Sequence, residues 1–154
     1  MNKSSKAFWF LQVSGWLFVA YLVYAQGVSA LDYEYGVAVG TQEPAARISE
    51  VGRAFWYGFA FGDAVFYIPL LIVALVAFAK GRDWGRNLLI AAMGITVYWP
   101  IVCLSAITAA RGAPGWTLPK ESDYWIVLPI IALWGAWGMW WLMSGSNKAR
   151  AKTE

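Results

Sequence analysis

The chain has 154 residues, of which 60% are apolar and 14% charged, well short of the roughly 25% charge of soluble globular domains. That composition excludes the soluble classes and leaves room for a single bundle of membrane spans. With no histidine and one cysteine, Cys103, imidazole-ligated haem or metal, Ser-His and Cys-His nucleophilic pairs and an internal disulfide are excluded, so neither cofactor nor metal is expected.

Four apolar stretches, residues 7–29, 54–79, 88–109 and 124–143, each approach the ~20 residues a helix needs to cross a ~30 Å hydrocarbon core. Backbone groups in lipid must bond within their own segment, and stretches this long without alternation are helices, not barrel strands. The expected fold is therefore an all-α membrane protein, a four-transmembrane-helix bundle formed by one domain over residues 1–154. The first stretch follows Lys3 and Lys6 and ends near Val28-Ser29-Ala30 like a secretory signal, but its apolar run of about 22 residues exceeds a usual signal core. It is read as a retained span.

The second stretch contains Asp63, the one ionisable residue inside a span. A carboxylate in hydrocarbon costs roughly 3 kcal/mol on insertion scales, so such a residue faces the bundle interior and marks a functional site by default. At 3.6 residues per turn Trp56, Phe59, Asp63, Tyr67 and Leu70 share a face, an aromatic stripe around an acid suited to a cation or a polar tip on an apolar ligand. Ordinary packing would give the same stripe. Gly58 and Gly62 form a small-xxx-small pair on another face, a feature of close helix approach and a candidate homodimer contact. Pro69, Pro100 and Pro129 fall one to a span; each removes an N–H, frees the carbonyls of Val65, Thr96 and Trp125 respectively, and bends its helix. Three bent helices around one acid can enclose a cavity, and Tyr98, Trp99 and Tyr124 bring polar-tipped aromatics toward it. Trp125, Trp137, Trp140 and Trp141 also suit interfacial anchoring. Residues 144–154 read as a frayed polar tail.

Orientation follows the distribution of Lys and Arg. Lys3, Lys6, Lys80, Arg82, Arg86, Lys148, Arg150 and Lys152 lie on one side, and Arg47, Arg53, Arg111 and Lys120 on the other. Eight against four places both termini and the 80–87 loop in the cytoplasm. Small cationic groups between apolar runs are topology signals, not a nucleic-acid footprint, so no nucleic-acid partner is expected.

The run Asp63, Val65, Phe66 and Pro69, then Lys80-Gly81 and Trp84, then Thr96 and Pro100-Ile101, then Tyr124-Trp-Ile-Val-Leu-Pro129-Ile resembles the EXPERA family. This is the four-span group of sigma-two-receptor-like and emopamil-binding-protein-like chains, and the likeness covers residues 54–133. The resemblance implies a pocket between bent helices, open to the membrane, that takes sterols or amphipathic amines against buried acids. Asp63 matches the second-span acid of the family, one methylene shorter than its usual Glu, and Asp32 corresponds to the acid ending the first helix, with different spacing. The sterol isomerases of the family work by a His with Glu, and this chain has no His.

The favoured function is an intramembrane pocket binding a sterol-like, isoprenoid or amphipathic amine ligand, with Asp63, Tyr67, Trp56, Phe59, Tyr98, Trp99, Asp32 and Tyr124 as candidate binding residues. Two alternatives stand beside it. One is a double-bond isomerase, with Asp63 catalytic and aided by Asp32 or Glu43; the other is a small proton-coupled transporter, dimeric through Gly58 and Gly62. A pocket protein closes its helices around Asp63 within one chain, whereas a dimeric transporter holds Asp63 near the subunit interface.

Overall fold

The computed structural model describes residues 5–150, with side chains through residue 144. It is almost entirely helical: α1 (Lys6–Leu31), a short α2 (Tyr33–Ala38), α3 (Ala45–Ala79), α4 (Asp83–Ala110) and α5 (Glu121–Arg150). Four of these, with α5 counted over Glu121–Ser144, are long and apolar enough to cross a membrane, and they suit a multi-pass membrane protein by length and composition. The expected frayed tail is instead helical as far as Arg150. Lys3 and Lys152 lie outside the described residues.

Local chemistry sets the helix ends. Ser5 caps α1, its hydroxyl accepting the Phe8 N–H at 3.1 Å, and Asp32 caps α2 by accepting the Tyr35 N–H at 2.9 Å. At the end of α3 the chain turns through Gly81 at φ 74°, where a side chain would be strained. The N–H groups of Gly81 and Arg82 close back onto the carbonyls of Phe78 (2.9 Å) and Ala77 (3.0 Å). This tight reversal joins α3 to α4 as an antiparallel hairpin. Gly85 then lets α4 run against α3, since a Cβ there would lie 2.6 Å from the Ala77 backbone.

The start of α3 lies nine residues ahead of the expected span. Its first turn is separated from the rest by Ser49, which has φ 64° and ψ 167°, a region essentially restricted to glycine. Two contacts hold it there. Ile48 forms a single antiparallel bridge with Trp116 in the α4–α5 connection, and Thr117 N–H donates to the Arg47 carbonyl at 2.7 Å. The chain is pulled into extended geometry at this point, and the Ser49 hydroxyl recaps the helix by accepting the Gly52 N–H at 3.3 Å.

Helix α4 is central, packed on α3 and α5, while α1 lies against α3. The main core joins Leu11 and Leu22 of α1, Leu71 and Leu75 of α3, Leu89 and Met93 of α4 and Leu142 of α5, all at most 1% exposed. Polar cross-links sit among them. Gln12 donates to the Leu75 carbonyl at 3.3 Å, Trp134 donates to the Ser14 hydroxyl at 2.9 Å, and Arg86 donates to the Leu142 carbonyl. In contrast Leu17, Val65, Phe66, Ile126 and Leu133 point outward and are more than 60% exposed. A bundle with a packed interior and an apolar exterior is what a lipid solvent permits.

Candidate functional site

Two irregular turns face one another inside the bundle. Within α3 the segment Asp63–Tyr67 is a π-turn, its end marked by the Ile68 N–H bonding five residues back to the Asp63 carbonyl. Pro69 explains it: with no N–H to give Val65 and a ring that crowds that carbonyl, the ladder slips by one residue just before the proline. Within α1 the segment Val23–Gly27 is also a π-turn, with no proline near it, and it contacts the first. Its support is tertiary. The Ala25 carbonyl accepts from the Ser29 hydroxyl at 2.8 Å and from Gln42 Nε2 at 3.1 Å, so a side chain from the α2–α3 connection occupies the place of a helix bond.

The Gln42 amide is fixed in orientation. Its Nε2 also donates to Gln26 Oε1 at 3.2 Å, and because both neighbours are acceptors the nitrogen must face them. The oxygen at the other end, Gln42 Oε1, is buried and has no hydrogen-bond partner among the described residues. Asp63 Oδ2 and Trp99 Nε1 are likewise buried and unpartnered.

A cavity of about 310 Å³ opens at the end of the bundle that carries the two long connections. Its helical wall comprises Tyr21, Ala25 and Gln26 of α1, Trp56 of α3, Trp99 and Cys103 of α4, and Asp123, Tyr124, Val127 and Leu128 of α5; residues 40–43 and Lys120 form its rim. At the rim Glu43 pairs with Arg47 at 3.4 Å and accepts from the Tyr124 hydroxyl at 3.4 Å, and its carbonyl accepts from the Tyr33 hydroxyl at 2.9 Å.

Of the residues expected from sequence, Trp56, Trp99 and Tyr124 meet in this cavity. Asp63 and Tyr67 are buried, at 6% and 4% exposure, but neither lines it. Asp63 lies near Tyr21, Tyr67 and Cys103, and two of those three form the cavity wall. The Tyr67 hydroxyl is committed to Thr96, oxygen to oxygen at 2.5 Å, and Thr96 in turn donates to the Ala92 carbonyl at 2.9 Å. The other three lie elsewhere. Tyr98 is 64% exposed on the outside of α4; Phe59 packs edge-on against Phe55 at 5.0 Å; Asp32 is an exposed helix cap. Gly58 and Gly62 face open space.

Gln26 and Gln42 also line the cavity and are not among the residues expected from sequence. An amide inside an apolar span was a visible signal for Gln26, whereas nothing in the loop sequence set Gln42 apart. Among the described residues no three His, Cys, Asp or Glu side chains group as metal ligands would.

No protein-family model, curated protein or solved structure matches the chain. The EXPERA resemblance thus stands on its short motifs alone.

Proposed function

We propose that the protein is a multi-pass membrane protein, termini cytoplasmic, whose four-helix bundle holds a pocket for a small sterol-like, isoprenoid or amphipathic amine ligand. The observation that carries this reading is the cavity of about 310 Å³ bounded by all four long helices of one chain. It lies at the small end of the ~300–1,000 Å³ range of ligand sites and has their usual mixture of aromatic wall and a few polar groups. Asp63 is enclosed by its own chain, which favours a self-contained pocket over a transporter that holds the acid at a subunit interface, while Gly58 and Gly62 face open space and leave a dimer contact available. An isomerase needs a proton donor and a separate acceptor. The Tyr67 hydroxyl is held by Thr96, Asp32 is an exposed helix cap and Glu43 is paired with Arg47 at the rim, so each candidate second group is engaged elsewhere and the isomerase has the weaker support.

Ligand-dependent thermal stability in detergent tests the reading. At a hundred times its Kd a pocket ligand adds about 2.7 kcal/mol to the folded state, so members of an isoprenoid, sterol and amine panel should raise the melting midpoint of wild type. Cys103→Phe, which puts a ring into the cavity wall, should remove that rise, and Leu17→Phe on the outer face should leave it. A panel that shifts wild type and Cys103→Phe equally would refute the pocket.

A further inference from the structure

We infer that the end of the bundle away from the cavity binds anionic phospholipid headgroups through Lys6, Lys80 and Arg82. The inference goes beyond the pocket and rests only on the bundle lying in a bilayer. The first turn of α1 and the α3–α4 turn bring these cations to one end. The Phe8 and Phe78 rings meet at 5.6 Å, which sets the start of α1, with Lys6, beside the end of α3. Lys80 and Arg82 flank Gly81 on the turn that follows.

The two ends of the bundle treat their charges differently. At the cavity end each arginine is paired with a carboxylate of its own chain: Arg47 with Glu43 at 3.4 Å, Arg53 with Glu34 at 3.0 Å, and Arg111 with Glu121. Lys120 lies in the cavity lining with Glu43 and Asp123. At the hairpin end Arg86 spends its guanidinium on the Leu142 carbonyl. Lys6, Lys80 and Arg82 are exposed, and their side chains form no ion pair or hydrogen bond among the described residues. These three charges are therefore open to an anionic partner.

Their depth identifies that partner. Lys80 follows directly on the apolar run Ile68–Ala79, so it stands at the edge of the hydrocarbon. Trp84, 53% exposed, comes two residues after Arg82, and Trp9, 60% exposed, three residues after Lys6. Exposed tryptophans beside the ends of a span settle at the level of the headgroups, which places the cations among lipid phosphates and below the reach of a soluble acidic protein. Each Lys or Arg at a membrane surface strengthens attraction to anionic lipid about fivefold.

Native mass spectrometry of the detergent-solubilised full-length protein, titrated with phosphatidylglycerol or with phosphatidylcholine of the same acyl chains, reads the affinity for the first bound lipid. Phosphatidylglycerol is expected to bind at least about fivefold more tightly. Replacing all three cations, Lys6→Gln, Lys80→Gln and Arg82→Gln, should bring the two lipids to equal affinity; the side chains make no internal bond, so the fold should be kept. Arg47→Gln, Arg53→Gln and Arg111→Gln together remove the same charge from the other end and should leave the preference as it is. Equal affinities in wild type would leave the cations to a soluble acidic partner and overturn the inference. So would a preference that survives the first triple replacement, or one that the second abolishes as completely. Cys103→Phe, in the cavity wall, should not change the preference, so failure of the pocket and failure of this surface are read separately.

Discussion

Tyr33 shows how one buried group ties the rim of the cavity to pH. Its ring is 5% exposed, and its hydroxyl donates to the Glu43 carbonyl at 2.9 Å. Burial, the largest influence, pushes its pKa up from 10.0 to about 12, against the opposing pull of the Arg53 guanidinium 4.9 Å from the ring centre. Because the folded value lies above the unfolded one, the neutral phenol favours the folded state fully below pH 10 and loses that advantage as pH rises toward 12. The stability difference between wild type and Tyr33→Phe should be about 1 kcal/mol at neutral pH and shrink between pH 10 and 12. A difference that stays constant across that window would show that the phenol is not buried in the working protein. Residue chemistry was only partly legible in advance. Asp63 announced itself as a lone acid in an apolar run, and Trp56, Trp99 and Tyr124 by their aromatic tips. Gln42 acquires its role from an α1 carbonyl seventeen residues away in sequence, and no local pattern encodes such a partner.

Ser49 poses the corresponding question for a helix. Its backbone sits in a region that costs of order 1–3 kcal/mol for a residue with a Cβ, while its hydroxyl caps the turn that follows. Replacing a Ser cap by Gly loses only a few tenths of a kcal/mol, and the extra chain entropy of Gly costs about 0.5–1 kcal/mol. At the middle of that range, about 2 kcal/mol, relief of strain exceeds their sum, so Ser49→Gly should stabilise the protein by up to about 1 kcal/mol. Ser49→Ala keeps the strain and loses the cap, and should destabilise by about 1 kcal/mol. Chemical denaturation of the pair reads the sign directly, and destabilisation by both would mean that the φ of 64° is unstrained. The four long helices were legible because length and hydropathy alone demand them. Pro69 foretold a disturbed ladder in α3. The matching π-turn of α1 has no proline to mark it, and the forward extension of α3 to Ala45 depends on the Ile48–Trp116 bridge across the fold.

At the scale of the molecule, four crossings would put both ends of the chain on one face, and the Lys and Arg distribution is what supports the proposal that this face is cytoplasmic. Single cysteines introduced by Glu34→Cys, Asp83→Cys and Ser122→Cys, in a Cys103→Ala background, should react with an impermeant maleimide from outside at positions 34 and 122 only. Reaction at 83 from outside would invert the topology, and with it the side from which a ligand reaches the cavity. Closure of four helices around a cavity was expected from three prolines and one acid, but its placement was not. The cavity lies among the ends of helices and their connections, beside Asp63 instead of around it, because Gln42 and the 40–43 turn fold inward and form part of the wall.

The tight turn at Gly81 has a consequence for how the chain is made. It joins α3 and α4 with only Lys80, Gly81 and Arg82 between them, and the Tyr67–Thr96 bond lies within that one hairpin. During synthesis two helices so joined can enter the bilayer as a pair, with these two hydroxyls already satisfied by one another before α5 leaves the ribosome. In ribosome-bound chains extending some forty residues beyond Ala110, cysteines introduced by Tyr67→Cys and Thr96→Cys in a Cys103→Ala background should therefore already cross-link to one another. In the same assay Gly81→Pro, which cannot adopt the positive φ of that turn, should delay cross-linking until longer chain lengths.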